Sequence, residues 1–234
     1  MGKISCGYGS EWHLLRYLGY HGQKLQEEIL QQTDGEKIYW LDYKFSKKNK
    51  PRERDRGLRG LEFLDRKTIN RWKRFWPQRG NVMNWDAVGK LYYSDRQEWL
   101  LVGAKTHIDE IYSWCGSKSD KSRSLIANAF TETKKAFNAE KTPLVNWLEP
   151  YYQLCSRLTL LYFLRKKCKP EVKAKLLMIY FYGDKFRNRN CPRTPEEWKF
   201  IMRKIYQDIG VDETSELMND IHSIYLQVNP NSPL

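Results

Sequence analysis

The chain has 234 residues, 41% hydrophobic and 14% aromatic, and carries 41 Lys and Arg against 28 Asp and Glu, a net charge of +13. That is enough apolar side chain to bury one large core, which excludes a wholly disordered chain. No apolar run approaches the roughly 20 residues that cross a bilayer, and the first residues lack the apolar stretch of a secretory signal, so a soluble, cytoplasmic protein without a membrane partner is expected.

In chain order, Ser10 is placed to cap a helix from Glu11, with Trp12, Leu14, Leu15 and Leu18 at helical spacing until Gly19 and Gly22 interrupt it. A second helical piece runs from Gln23 to Gln32, and Lys37 to Phe45 reads as a strand. After a charged stretch, a short helix is predicted from Arg66 to Trp76. Asn84 to Tyr93 and Gln97 to Lys105 are β-type runs joined by the polar turn Ser94-Asp95, a hairpin. Helices follow from Ser122 to Asn138 and, after Pro150, from Tyr151 to Lys167. Leu176 to Phe181 is a continuous apolar run, the mark of a strand buried on both faces. Thr194-Pro195-Glu196-Glu197 opens a helix with a cap, a proline at its first position and a capping-box glutamate, and Gly210 closes it. Ile221 to Val228 is an edge strand or a short helix. The order predicts an α/β fold, a central mixed β-sheet flanked by helices. It is read as one domain over 1–234 with a basic insertion at about 44–80.

The charge is concentrated in that insertion. From Lys44 to Arg79 there are 14 Lys or Arg against Glu53, Asp55, Glu62 and Asp65, a local balance of 14 − 4 = +10. In Arg71-Trp72-Lys73-Arg74-Phe75-Trp76-Pro77-Gln78-Arg79, aromatics interleave the cations, a composition that contacts phosphates and stacks on bases. Arg71, Lys73, Arg74 and Arg79 are therefore candidate nucleic-acid contacts. The competing reading makes Trp72, Phe75 and Trp76 core residues of the short helix.

Five cysteines, an odd number with no Cys-x-x-Cys pair, read as reduced thiols. The four histidines form no ligand cluster by spacing. Any metal would have to be held by oxygen, which points to magnesium or manganese.

A two-residue turn at Ser94-Asp95 pairs Tyr93 with Arg96, so paired positions sum to 189 and Asp86 stands opposite Gly103. Residues directly opposite share a face, and Lys105, two residues further on, shares it too. An acid and an amine thus converge at the rim of the core, where partial desolvation shifts the pKa of the lysine.

This arrangement resembles the PD-(D/E)xK nucleases, the restriction-endonuclease-like superfamily. The resemblance runs from about Ser10 to Phe181 in motif and in order of elements. It implies a restriction-endonuclease-like fold and a metal-dependent endonuclease hydrolysing DNA phosphodiesters with Mg2+ or Mn2+. Asp86 corresponds to the family aspartate, Lys105 to its lysine, and Trp85 stands where the variable proline would be. Glu11 resembles the glutamate that the family often places on an early helix near the metal, so Asp86 and Glu11 are the implied metal ligands. Gln153 corresponds to a glutamine that some relatives hold beside the site. DNA is the implied partner ahead of RNA, and homodimers are common in the family.

One position departs from the pattern: Gly103 replaces the second acid, and it offers no ligand. Phosphodiester hydrolysis needs charge stabilisation that two carboxylates and a cation usually share. Three explanations stand: an engineered or selected loss of activity, degeneration to a binding module, or takeover by another acid, with Glu110 and Glu11 as candidates. The expected function is a nuclease inactivated or weakened at Gly103; the alternative is a non-catalytic nucleic-acid-binding protein on a degenerate nuclease fold, and an RNA-processing enzyme would differ only in substrate. Simpler readings accompany each residue: Asp86 as a hairpin-end acid, Lys105 as a solvated charge, Glu11 as a first-turn acid favoured by the helix dipole, Gln153 with Arg157 as an ordinary i,i+4 pair, and His107 as structural.

Overall fold

A computed structural model describes residues 9–41, 58–78 and 83–230. In chain order these form α1 (Ser10–Tyr20), α2 (Gly22–Thr33), β1 (Lys37–Trp40), α3 (Arg66–Phe75), β2 (Ala87–Tyr92), β3 (Gln97–Lys105), α4 (Asp120–Ala136), α5 (Val145–Leu148), α6 (Tyr152–Tyr162), β4 (Ala174–Tyr182), α7 (Pro195–Ile209) and β5 (Ile221–Gln227). The strands make one open sheet in the order β1-β2-β3-β4-β5. The first three are antiparallel, while β4 runs parallel to β3 and β5 parallel to β4. The fold is α/β with a mixed sheet.

Alternation along the strands divides the core in two. Val88, Leu101, Leu176, Met178 and Tyr180 point to one face, where Ile126 and Phe130 of α4, Leu158 of α6 and Trp198 of α7 cover them. Ala87, Leu100, Val102, Leu177, Ile179 and Phe181 point to the other, under Leu14 and Tyr17 of α1 and Leu25 and Ile29 of α2. A central strand covered on both sides can carry no polar alternation, which is why β4 reads as an unbroken apolar run. The helix α1 is also fastened to the far edge of the sheet: the Tyr17 hydroxyl donates to the Gln227 carbonyl at 2.7 Å, and Arg16 Nη1 to that of Val228 at 3.2 Å. Among the described residues, no helix is long and apolar enough to cross a membrane.

Local chemistry accounts for most boundaries. The Thr194 hydroxyl accepts the Glu197 N–H at 3.3 Å, Pro195 sits in the first turn, and Gly210 ends α7 with φ at 70°, in the left-handed region. Asp65 caps α3 by accepting the Thr68 N–H at 2.9 Å. The start of α1 differs from expectation. Gly9, with φ at 86°, takes the N-cap position, and its carbonyl accepts the His13 N–H at 3.1 Å, so Ser10 is already inside the helix. Strand β1 ends at Trp40, Leu41 already lies beyond it, and the rest of the expected run to Phe45 lies outside the described residues. Helix α6 gives way to a π-helical turn over Phe163–Lys167. The last segment is a strand, β5.

The aromatics of the basic segment pack inward. Trp72 and Trp76 are buried, stacked with ring centroids 5.6 Å apart, and Trp72 meets Phe163 at 4.9 Å. Packing therefore explains their spacing, and the exposed cations of α3, Lys73 and Arg74 among them, lie on its other side. Arg71 is committed locally, its Nη1 donating to the Lys169 carbonyl. Arg79 lies outside the described residues, as does all of the insertion before Leu58.

Candidate active site at the ends of β3 and β4

The hairpin has the register that its turn implies. Ala87 pairs with Val102 and Tyr92 with Gln97, positions that sum to 189, and beyond the last pair the Asp86 N–H donates to the Val102 carbonyl at 3.0 Å. Asp86 lies just ahead of β2, and its Oδ2 accepts the Ala104 N–H at 2.8 Å. The same oxygen meets Arg157 Nη2 at 3.1 Å. Lys105, at the end of β3, donates from Nζ to Gln153 Oε1 and to the Glu110 carbonyl, both at 2.6 Å. Gln153 and Arg157 are one turn apart on α6, so the carboxylate and the ammonium reach the same helix from the same face of the sheet.

Gly103 lies between them in the sheet, opposite Met178 of β4. The space in front of it belongs to Arg157. A Cβ at position 103 would come within 2.4 Å of Arg157 Nη1 and 2.6 Å of Cζ. Arg157 is almost wholly buried, with a side chain 2% exposed. Among the described residues its Nε and Nη1 have no hydrogen-bond partner, nor has the buried Tyr180 hydroxyl. These groups, with Lys105, Gln153 and Met178, surround a cavity of about 10 Å³, close to the smallest space that holds one water.

Electrostatics follow from this crowding. Burial, helped by the Arg157 charge, pulls the Lys105 ammonium down to about 8, against the opposing effect of Asp86 and Glu110. Glu11, on the first turn of α1, is exposed, yet its carboxyl is raised above the ordinary value, first by desolvation and then by the negative charge of Asp86. Two carboxyl groups from different elements therefore feel one another at this rim. Glu110 is directed elsewhere: its Oε1 lies 3.1 Å from His107 Nδ1, and its Oε2 accepts the Thr106 N–H at 3.4 Å.

A second cluster adjoins the first. Asp184, in the segment after β4, places one oxygen 3.3 Å from His13 Nε2 and 3.2 Å from His107 Nε2. Both imidazoles are buried, and desolvation lowers the pKa of His13 in spite of Asp184. His13 and Asp184 are absent from the sequence-derived site. They are separated by 171 residues, and neither stands in a motif; a buried polar position on the apolar face of α1 is the one available signal. Arg157 was legible as the partner of Gln153 on one helix face, but its engagement of Asp86 was not.

The donor set fits a divalent cation poorly. Asp86 Oδ2 is taken up by a guanidinium and a backbone N–H, position 103 supplies no carboxylate, and Glu110 is turned to His107. Among the described residues, no group of three or more His, Cys, Asp and Glu side chains is arranged to hold a metal ion. Comparison with family models, with curated proteins and with solved structures gives no match.

Proposed function

We propose that this chain is a nucleic-acid-binding protein, with DNA as the preferred partner, built on a PD-(D/E)xK nuclease-like scaffold whose hydrolytic centre is silenced. The carrying observation is that Asp86 and Lys105, from adjoining strands, meet one helix on one face of the sheet, with Gly103 between them and Arg157 in front of it. The meander β1-β2-β3, the intervening helices and the parallel β4 follow the order of elements expected of that family. In this reading Lys105 and the exposed cations of α3 contact phosphates. The Arg157 guanidinium neutralises Asp86, the charge that a cation would otherwise balance.

The test is Gly103→Glu. Wild-type protein should bind DNA in a salt-dependent way and leave it intact in magnesium or manganese. In the variant, the new carboxylate draws Arg157, the far end of a flexible side chain, off Asp86, and magnesium-dependent cleavage should appear. A folded variant that still leaves DNA uncut in both metals counts against the nuclease ancestry of the site and leaves a basic binding protein.

The Glu11 carboxyl, raised in part by Asp86, supports one further reading, in which Glu11 is the replacement acid and the chain is an active nuclease. Manganese-dependent cleavage by the wild-type chain, abolished by Glu11→Gln, would favour it.

A further inference from the structure

Beside Lys105 opens a cleft of about 670 Å³ whose walls include Trp76, Tyr112, Trp114, Tyr152 and Gln153. The volume lies within the range of about 300–1,000 Å³ of small-ligand sites. That is room for an unstacked nucleotide and not for the stacked pairs of a duplex.

The rim is built to present aromatic rings to solvent. Ser113 forms a bridge with Tyr151 in parallel sense, its N–H donating to the Pro150 carbonyl at 2.6 Å, and the Cys115 N–H donates to that of Leu148 at 3.1 Å. This extended segment, held on both sides of Trp114, turns alternate side chains the same way. Ile111 is buried and Ser113 and Cys115 are partly buried, while Tyr112 is 43% and Trp114 60% exposed. No ring of a described residue packs against Trp114. Tyr112 also leans on Tyr151, their ring centroids 6.1 Å apart, so two large aromatics held outward on a pinned backbone form a preorganised stacking surface.

The same segment is wired to the candidate site. Ser113 Oγ accepts the Gln153 N–H at 2.8 Å, and Gln153 Oε1 accepts from Lys105 Nζ at 2.6 Å. The walls of the cleft thus hold both exposed aromatic rings and a cation, and the helix α3, with Lys73 and Arg74 exposed, leads to its wall at Trp76 and Pro77. Among the described residues its one acidic wall residue, Glu110, has its carboxylate at His107. Aromatic faces with interspersed cations suit unpaired bases joined by phosphates.

We propose that this cleft takes an unpaired nucleotide of single-stranded DNA, its base stacked on Trp114 and Tyr112 and its phosphate against the Lys105 ammonium. The inference rests on the nucleic-acid reading above and narrows it to single strands, junctions or frayed ends. The experiment compares labelled oligothymidylate with a duplex of equal length, on the wild-type chain and on Trp114→Ala and Trp114→Phe. Single strands should bind more tightly than duplex. Trp114→Ala should weaken single-strand binding on the order of tenfold, Trp114→Phe should recover most of it, and duplex binding and thermal unfolding should stay unchanged. Single-strand affinity that is indifferent to Trp114→Ala, or an equal loss on both substrates, overturns the cleft assignment while the nucleic-acid reading survives. No binding of either substrate by the wild-type chain overturns both.

Discussion

The guanidinium of Arg157 fills the space that a side chain at Gly103 would enter, 2.4 Å from where its Cβ would lie. Glycine at this point of β3 is what allows a buried arginine to reach across the sheet to Asp86. The two positions are one structural unit: a strand position without a side chain and a guanidinium that fills the space in front of it.

Loss of Asp86 and loss of Arg157 should therefore differ in cost. Asp86→Ala strands a buried charge whose other nitrogens already lack partners, and should destabilise by about 3–5 kcal/mol. Arg157→Met leaves Asp86, whose side chain is 26% exposed, with water and the Ala104 N–H, and should cost about 1–3 kcal/mol. Urea unfolding of the two variants measures the difference; equal costs would contradict the asymmetry.

Lys105 should make DNA binding sensitive to mildly alkaline pH. With the ammonium at about 8 instead of the ordinary 10.5, its charge is present at pH 7 and mostly gone at pH 9. Affinity should fall over that interval by roughly fivefold, the worth of one ion contact at a partly shielded site. Lys105→Met should bind more weakly at pH 7 and lose the pH-dependent part. Stability has the opposite trend: between about 8 and 10.5 the unfolded chain holds a proton that the folded chain has released, so unfolding free energy rises with pH.

His222 should contribute to acid denaturation. Burial and the neighbouring Lys175, whose Nζ is 3.3 Å from His222 Nε2, lower this imidazole to about 4. Between pH 6.5 and 4 the unfolded chain takes up a proton that the folded chain refuses, so stability is lost as pH falls through that window, on the order of 2 kcal/mol in all. His222→Gln should flatten the decline in chemical denaturation curves recorded at pH 7, 5.5 and 4.5.

The cations of α3 should separate by role. Lys73→Gln with Arg74→Gln should weaken DNA binding without changing stability, and lower the slope of log affinity against log salt by between about 1 and 2. Arg71→Gln, which removes the donor to the Lys169 carbonyl, should lower the unfolding midpoint as well. A pair variant whose salt slope equals that of the wild type would take α3 out of the interface.

What was legible in the sequence is what short-range chemistry determines. The two-residue turn at Ser94-Asp95 sets the register of β2 and β3, and with it places Asp86 just beyond the last pair, Ala87 with Val102, near Gly103. The cap, proline and terminal glycine of α7 mark a helix whose ends appear where they were expected. The site was harder to read wherever distant segments complete it. Arg157 looks like an unremarkable helix residue until β3 is laid beside α6, and Asp184 has meaning only once α1 and the segment after β3 bring His13 and His107 to it. Trp72 and Trp76 misdirect in the other sense: their neighbours in the chain are cations, but their neighbours in space are Phe163 and Phe130. Tyr112 and Trp114, two of the aromatics that do face solvent, sit in a segment without charge patterning, and it takes the pairing with Tyr151 to turn them outward.

The clasp between α1 and β5 has a consequence for biosynthesis. Tyr17 leaves the ribosome early, yet the carbonyl that receives its hydroxyl belongs to a residue 210 positions later. The first helix must wait for this partner until β5 emerges. A nascent chain arrested before Gln227 would lack that anchor for α1.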